Sequence, residues 1–316
     1  SRRPMRRVTE PLGAMGARVL TSETGTSPLR ITGSRALSGI DYRMPMASAQ
    51  VKSCLLLAGL YASGRTCVHE PAPTRDHTER MLEGFGYPVE RTGDRVCVRG
   101  GGRLRGMALH IPGDLSSAAM LMVGAAIAPG SDLLIEGVGV NPTRSGVIDI
   151  LRMMGADVAL GRERQAGAEP VADIRVRARP LRGVDISPAQ VPLAIDELPV
   201  LLIAAACAQG ETTLSGAAEL RVKESDRIAA LAEGLTRLGV RATATPDGMS
   251  VHGGALTGGR VESLGDHRIA MAFAVAALRA SAPIVVEDCA NVDTSFPGFV
   301  ALARAVGLDI QVGECI

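Results

Sequence analysis

The stretch LRVKESDRI at positions 220–228 packs Arg221, Lys223 and Arg227 together with Glu224 and Asp226, directly ahead of an apolar stripe. On helical spacing Ile228, Leu231, Leu235 and Leu238 form that stripe. Steps of four and seven back from Leu231 reach Arg227 and Glu224, so these two charges continue the buried face. Lys223 stands four residues before Arg227, and Asp226, Glu233 and Arg237 fall nearer solvent. Cations recur at other candidate helix starts: Arg3 before Pro4, Arg75 in TRDH, Arg144 in TRSG and Arg268 in GDHR. A helix N-terminus carries about half a positive charge, so each Lys or Arg there is disfavoured by ~0.3–1 kcal/mol. An anionic ligand held jointly by helix N-termini and guanidinium forks removes that penalty, and the reading requires these ends to converge in space. Acids sit at the same ends. Asp196 in DELP suits an N-cap, and Glu224 suits a structural ion pair. Two carboxylates and a lysine beside bound anions would also make proton-transfer machinery.

The elements that carry these residues repeat. Apolar runs at 48–60, 116–128, 196–208 and 266–278 are rich in small residues nearly all round, as buried helices are, and begin with Ser48, Ser116, Asp196 and Asp266. A strand-like run follows each, in TCVHE, DLLIEGV, ETTLSGA and PIVVED. Then come a polar turn and an amphipathic helix with an ending such as MLEGFG, LTRLGV or ARAVGLDI. Hairpin signals at Gly93-Asp94 and Asp247-Gly248 complete a unit of roughly 70 residues. PLGAMGARV ends like the second helix of one more unit. The class is α/β, with helix–strand–helix–strand–strand repeats and mixed sheets. No helix opens with a G-x-G-x-x-G or P-loop motif.

Composition narrows the function. The chain has 316 residues, a formal net charge of +1, 46% hydrophobic residues, 2% aromatics and no Trp. Balanced charge and scarce aromatics argue against nucleic acid as a partner. The longest apolar runs fall short of the ~20 residues of a membrane span. Six cysteines lie scattered without C-x-x-C spacing, which argues against a zinc site or a disulfide framework and fits a reducing cytoplasm. We expect no metal and no cofactor.

ELRVKESDRI, MASAQVKSCLLLAGL, TRDHTERML, GDLSSAAML and SLGDHRIAMAF together resemble the 5-enolpyruvylshikimate-3-phosphate synthase family, from Arg3 to about Gly307. The resemblance implies a two-domain enolpyruvyl transferase fold of βαβαββ units, with helix N-termini pointing into a cleft. Residues 1–110 would form an incomplete first domain with two of three repeats. Residues 111–316 would form the second, with three repeats but without its N-terminal crossing strand. It implies transfer of the enolpyruvyl group of phosphoenolpyruvate to the 5-hydroxyl of shikimate 3-phosphate, releasing phosphate. By position Asp196 matches the base and Glu224 the acid that protonates the methylene. Lys223 matches a contact to the shikimate phosphate that also stabilises developing charge. His267 matches an active-site histidine. Ser48, Ala49 and Gln50 match the shikimate 3-phosphate cradle. Arg75 stands where one branch of the family adds a phosphate contact, and Arg3, Gln50, Arg227 and Arg268 match the phosphoenolpyruvate site. Lys52, Arg144 and Cys54 are read as structural or solvated. The resemblance further implies a cytoplasmic protein, monomeric at full length, with these two small molecules as its partners.

Two rivals share features with this reading. A sister enzyme that transfers enolpyruvyl to UDP-N-acetylglucosamine has the same fold and donor but lacks RVKESDR. A non-catalytic relative that binds the anions without turnover would keep the cations alone.

The family's N-terminal GKS/T-type segment, which supplies a lysine, a serine and an arginine, does not occur before Arg3, and NVDTSFPGF offers Thr294 and Ser295 where some members have lysine. The chain opens SRRPMRR without Met, as the remainder of a longer protein would. We therefore expect these residues alone to bind both substrates weakly and turn over little or nothing. Steady-state phosphate release checks this, and a rate equal to that of full-length relatives would contradict it.

Overall fold

The computed structural model describes residues 4–34 and 36–313. The chain folds as two compact units, Ser1–His110 with Gln165–Glu169, and Ile111–Arg164 with Pro170–Ile316.

The first unit begins with α1 (Arg6–Ala14) and the antiparallel pair β1 (Arg18–Leu20) and β2 (Arg30–Thr32). A full βαβαββ repeat follows: β3 (Asp41–Arg43), α2 (Ala49–Gly59), β4 (Arg65–His69), α3 (His77–Gly84), β5 (Glu90–Thr92) and β6 (Arg95–Arg99). Its sheet runs β3-β4-β6-β5, with β3 and β4 parallel and the other pairs antiparallel. Val51, Leu55 and Leu56 of α2 pack with Val68, Leu82, Val96 and Val98 into its core. The all-round apolar reading of α2 overshoots, since Leu57 is 48% exposed.

The second unit repeats the pattern. Gly113 bridges Val138 in parallel and stands in for a first strand. After it come α4 (Leu115–Ile127), β7 (Asp132–Gly139), α5 (Gly146–Met153), β8 (Asp157–Ala166) and β9 (Glu169–Arg177), in sheet order β7-β9-β8. The next copy is β10 (Asp185–Ile186), the short α6 (Val191–Ala194), α7 (Leu198–Ala206), β11 (Glu211–Leu214), α8 (Arg227–Arg237), β12 (Arg241–Thr245) and β13 (Gly248–His252). Its order β10-β11-β13-β12 reproduces that of the first unit. A last copy holds β14 (Gly259–Glu262), α9 (His267–Ala276), β15 (Ile284–Glu287), α10 (Val292–Ser295) and α11 (Phe299–Ala305), with β14 and β15 parallel.

Helices α4, α7 and α9 pack against one another, and every residue of α7 is buried. Their small side chains, Ala118, Ala119, Ala204, Ala205, Ala270 and Ala272 among them, let the axes approach closely. Each enters from a parallel strand or bridge, so their N-termini are gathered at one end of the unit.

Three local expectations need correction. Helix α4 starts at Leu115, one residue before Ser116, and Asp114 caps it by accepting from Ser117 N at 2.9 Å. Asp196 does not cap α7, whose N-cap residue is Glu197 and has no side-chain cap bond. Its carboxylate is turned to arginines instead. Cys67 and Cys97 are disulfide-bonded, against the expectation of no disulfide framework. They are register partners on β4 and β6, brought together by a crossover and a hairpin that linear spacing does not reveal.

The repeat leaves a steric signature. Gly39 and Gly183 lie before the first strands of their copies, and a Cβ on either would fall on the backbone carbonyl of Arg65 or Glu211 respectively. Their N–H groups donate to Ser63 O and Gln209 O at 2.8 and 2.7 Å. Backbone cannot move aside as a side chain can, so Gly183→Ala should destabilise the second unit by about 1–3 kcal/mol. A urea midpoint unchanged by the substitution would contradict this packing.

Candidate active site

The second unit gathers most of the sequence-selected charges around one arginine. Arg227, the first residue of α8, is 1% exposed. Its Nε donates to Asp266 Oδ2 at 2.8 Å, and its Nη2 donates to Glu224 Oε2 at 2.8 Å. Nη1 lies 3.6 Å from Asp196 Oδ1, an ion-pair distance, and is buried without a hydrogen-bond partner among the described residues. Arg268 joins from α9: its Nη1 donates to the Asp196 carbonyl at 3.0 Å, and its Nη2 lies 3.9 Å from Asp196 Oδ2. The two carboxylates chosen for proton transfer thus face the same guanidinium.

The fold explains each placement. Asp226 caps α8 by accepting from Ala229 N at 3.0 Å and fixes where the helix starts. Arg227 enters the core at that point and Glu224 stays just outside the helix. Asp266 caps α9 by accepting from Arg268 N at 2.9 Å, so one carboxylate both ends a helix and grips Arg227. Burial raises the Asp266 carboxyl's pKa, but the Arg227 bonds and charge and the Arg268 N–H outweigh it, holding it below its ordinary 3.8. His267 is half-buried; burial, then the Arg268 charge, lowers its pKa and favours the neutral imidazole at neutral pH.

Lys223 stands apart from this cluster. It ends a 3-10 turn rather than lying on α8, and its Nζ donates to Glu219 Oε1 at 2.6 Å. The helical stripe extrapolated back from Leu231 holds for Arg227 and fails for Glu224, which lies ahead of the helix and keeps 29% side-chain exposure instead of continuing the buried face.

A second network adjoins the first at Glu197 and was not singled out in the sequence. Glu197 is fully buried and accepts from Ser116 Oγ through Oε1, while Oε2 is buried without a hydrogen-bond partner among the described residues. Arg144 Nη2 donates to Ser116 Oγ at 2.7 Å and to Asp114 Oδ1 at 3.0 Å. Burial raises the Glu197 pKa against the pull of the Ser116 bond and Arg268, and Asp196 raises it further. The starts of α4, α7, α8 and α9 thus meet through side chains, which joins Arg144, Arg227 and Arg268 of the helix-start cations, while Lys223 stands apart and Arg75 belongs to the first unit. Asp266, Glu197 and Ser116 were legible only as helix-start residues, because nothing linear reports contacts across 39 or 81 positions.

In the first unit Ser48 caps α2, its Oγ accepting from Val51 N at 3.3 Å, and Ala49 and Gln50 open the helix. Gln50 Oε1 accepts from Arg7 Nη2 at 3.0 Å, and Arg7 was not singled out. Arg75 lies in the partly buried segment before α3. Arg3 lies outside the described residues.

The Arg227–Asp266 pair makes a pH prediction. Because the folded carboxyl is held down, its stabilisation is present above the ordinary 3.8 and is lost as pH falls through the lower folded value. Asp266→Asn should cost about 3–5 kcal/mol at neutral pH by leaving a buried charge under-compensated. Urea midpoints of parent and variant should draw together in acid; a gap constant down to acid pH would contradict the pairing.

Comparison with known proteins agrees with this architecture. The family model for EPSP synthase (3-phosphoshikimate 1-carboxyvinyltransferase) matches residues 1–302. A 3-phosphoshikimate 1-carboxyvinyltransferase of Methylococcus capsulatus is 67% identical over 98% of this chain and 71% of its own length. That of Alkalilimnicola ehrlichii is 65% identical over 99% of this chain and 71% of its own. The solved EPSP synthase of Acinetobacter baumannii superimposes with a TM-score of 0.91 at 54% identity, covering 99% of this chain and 73% of that one. With its repeat topology, its buried arginine and these relatives taken together, the chain belongs to the EPSP synthase family.

Proposed function

We propose that the chain carries out its family's reaction, transfer of the enolpyruvyl group from phosphoenolpyruvate to the 5-hydroxyl of shikimate 3-phosphate, and that Asp196 and Glu224 move its protons. The observation that carries the division of labour is the pair of carboxylates at the two outer nitrogens of Arg227, Asp196 3.6 Å from Nη1 and Glu224 2.8 Å from Nη2. In the first step the 5-hydroxyl oxygen bonds to C2 of the enol while Asp196 takes the hydroxyl proton and Glu224 protonates the methylene carbon. In the second, Glu224 takes a proton back from that methyl carbon as the C2–O bond to phosphate breaks and the proton held by Asp196 passes to the departing phosphate, leaving the vinyl ether and inorganic phosphate.

Arg227 is covered by its own acids in this structure, so an anion reaches it by exchange. Phosphoenolpyruvate takes over the guanidinium, with Arg268 beside it and Arg3 and Gln50 assigned by resemblance. The exchange releases Asp196 and Glu224 toward the reactants. Asp266 keeps its hold on Nε throughout and maintains the orientation of the fork. Ser48, Ala49, Gln50, Arg75 and Lys223 hold shikimate 3-phosphate, and Lys223 leaves Glu219 to do so. His267, neutral by burial and by Arg268, is an acceptor for a proton in transit. A cytoplasmic, monomeric enzyme is part of the proposal and suits small soluble metabolites.

Phosphate release with both substrates tests the reading, measured with the chain joined to the N-terminal segment of a full-length family member, because these residues alone are expected to turn over little or nothing. Glu224→Gln and Asp196→Asn should each lower the rate by about 10²–10⁴-fold, the usual worth of a positioned acid or base. Parent-like rates in both variants, or release with a UDP-sugar in place of shikimate 3-phosphate, would overturn it.

A further inference from the structure

Beneath the start of α2 lies a charged cluster that the reaction above does not use. Lys52 is 1% exposed, and its Nζ lies 2.6 Å from Glu79 Oε1 and 3.0 Å from Glu70 Oε1. Glu79, on α3, is also 1% exposed, and its Oε2 is buried with no hydrogen-bond partner among the described residues. Glu70 follows β4 and passes the contact on, since Thr74 Oγ1 donates to its Oε1. At the far end of the same segment Asp76 accepts from Arg80 Nε at 2.8 Å. Thr78 Oγ1 donates to Ser53 Oγ at 2.7 Å, tying α3 to α2 again. Arg75 thus sits between two anchored neighbours. Lys52 also closes the first turn of α2, its N–H donating to Ser48 O at 3.0 Å.

A buried lysine with two carboxylates is a weak device for stability, because well-packed apolar residues of similar volume often do as well or better. What such a cluster supplies is a defined geometry between the elements it joins. We propose that Lys52 is a positioning residue for the acceptor substrate: through Glu70 and Glu79 it locks the Thr74–Asp76 segment against the start of α2. Arg75 is thereby held at a set distance from Ser48, Ala49 and Gln50. This rests on the reading that those residues hold shikimate 3-phosphate.

Calorimetric titration with shikimate 3-phosphate tests the proposal without requiring turnover. Parent, Arg75→Ala, Lys52→Met, Thr74→Val and the doubles Lys52→Met/Arg75→Ala and Thr74→Val/Arg75→Ala are compared. Arg75→Ala should weaken binding about tenfold, and Lys52→Met and Thr74→Val several-fold to about tenfold. Each double should bind no more weakly than Arg75→Ala, because the positioning acts through Arg75, and phosphoenolpyruvate affinity should stay at the parent value throughout. A merely structural cluster would lower the melting temperature and leave this coupling at zero. Thr74→Val keeps the buried ion pairs, so it decides the matter even where Lys52→Met fails to fold. Parent-like binding by Arg75→Ala would overturn the assignment of Arg75 and the proposal with it. Weakening by Arg75→Ala, with parent-like binding by Thr74→Val or multiplicative losses in the doubles, would overturn the positioning role alone.

Discussion

A guanidinium sealed inside the protein sets the terms for everything around it. At 1% exposure Arg227 has no water to solvate its charge, so the fold must supply carboxylates, and it supplies Asp266, Glu224 and Asp196. The three are not equivalent. Asp266 is fully buried, caps α9 and bonds Nε. Glu224 and Asp196 keep 29% and 17% side-chain exposure and approach the outer nitrogens. One acid is therefore structural and two can change partners, a division that burial alone produces. On the proposed reading, an anion at the outer nitrogens meets a fork already aimed by Asp266 and takes the place of acids that then stand beside it.

The repeat makes this concentration of charge possible. Copies of one strand–helix–strand–helix–strand–strand pattern bring α4, α7 and α9 together along Ala-rich faces, and small side chains allow the close approach. Helices that enter from parallel strands must start at the same end of the unit. Their N-termini, each with unpaired N–H groups, form a positive region before any side chain is counted. Arginines there would be expelled were it not for Asp114, Asp196, Glu197 and Asp266, one or more on each helix start.

Much of this was legible in the sequence. The four small-residue helices, the strands after them and the hairpin at Gly93-Asp94 follow from period and turn chemistry alone, as β5 and β6 bear out. Arg227 was legible too, because it continues the apolar stripe of α8. Glu224 shows where that logic ends: a cap at Asp226 starts the helix, and residues before it no longer obey a 3.6-residue step. Asp196 was open to a cap reading beside its catalytic one, since an Asp ahead of an apolar run looks alike whether it binds backbone or a distant arginine. The Cys67–Cys97 bond and the Ser116–Glu197 link depend on sheet register and helix packing, which sequence spacing does not encode.

The most direct measurement is a crystal structure of the protein with phosphoenolpyruvate and shikimate 3-phosphate bound. The account requires an anionic oxygen of phosphoenolpyruvate at about 2.7–2.9 Å from an outer nitrogen of Arg227. Asp266 should remain on Nε, with the Asp196 and Glu224 carboxylates turned to the ligands. Arg227 still enclosed by all three acids, with the substrates bound elsewhere, would contradict it.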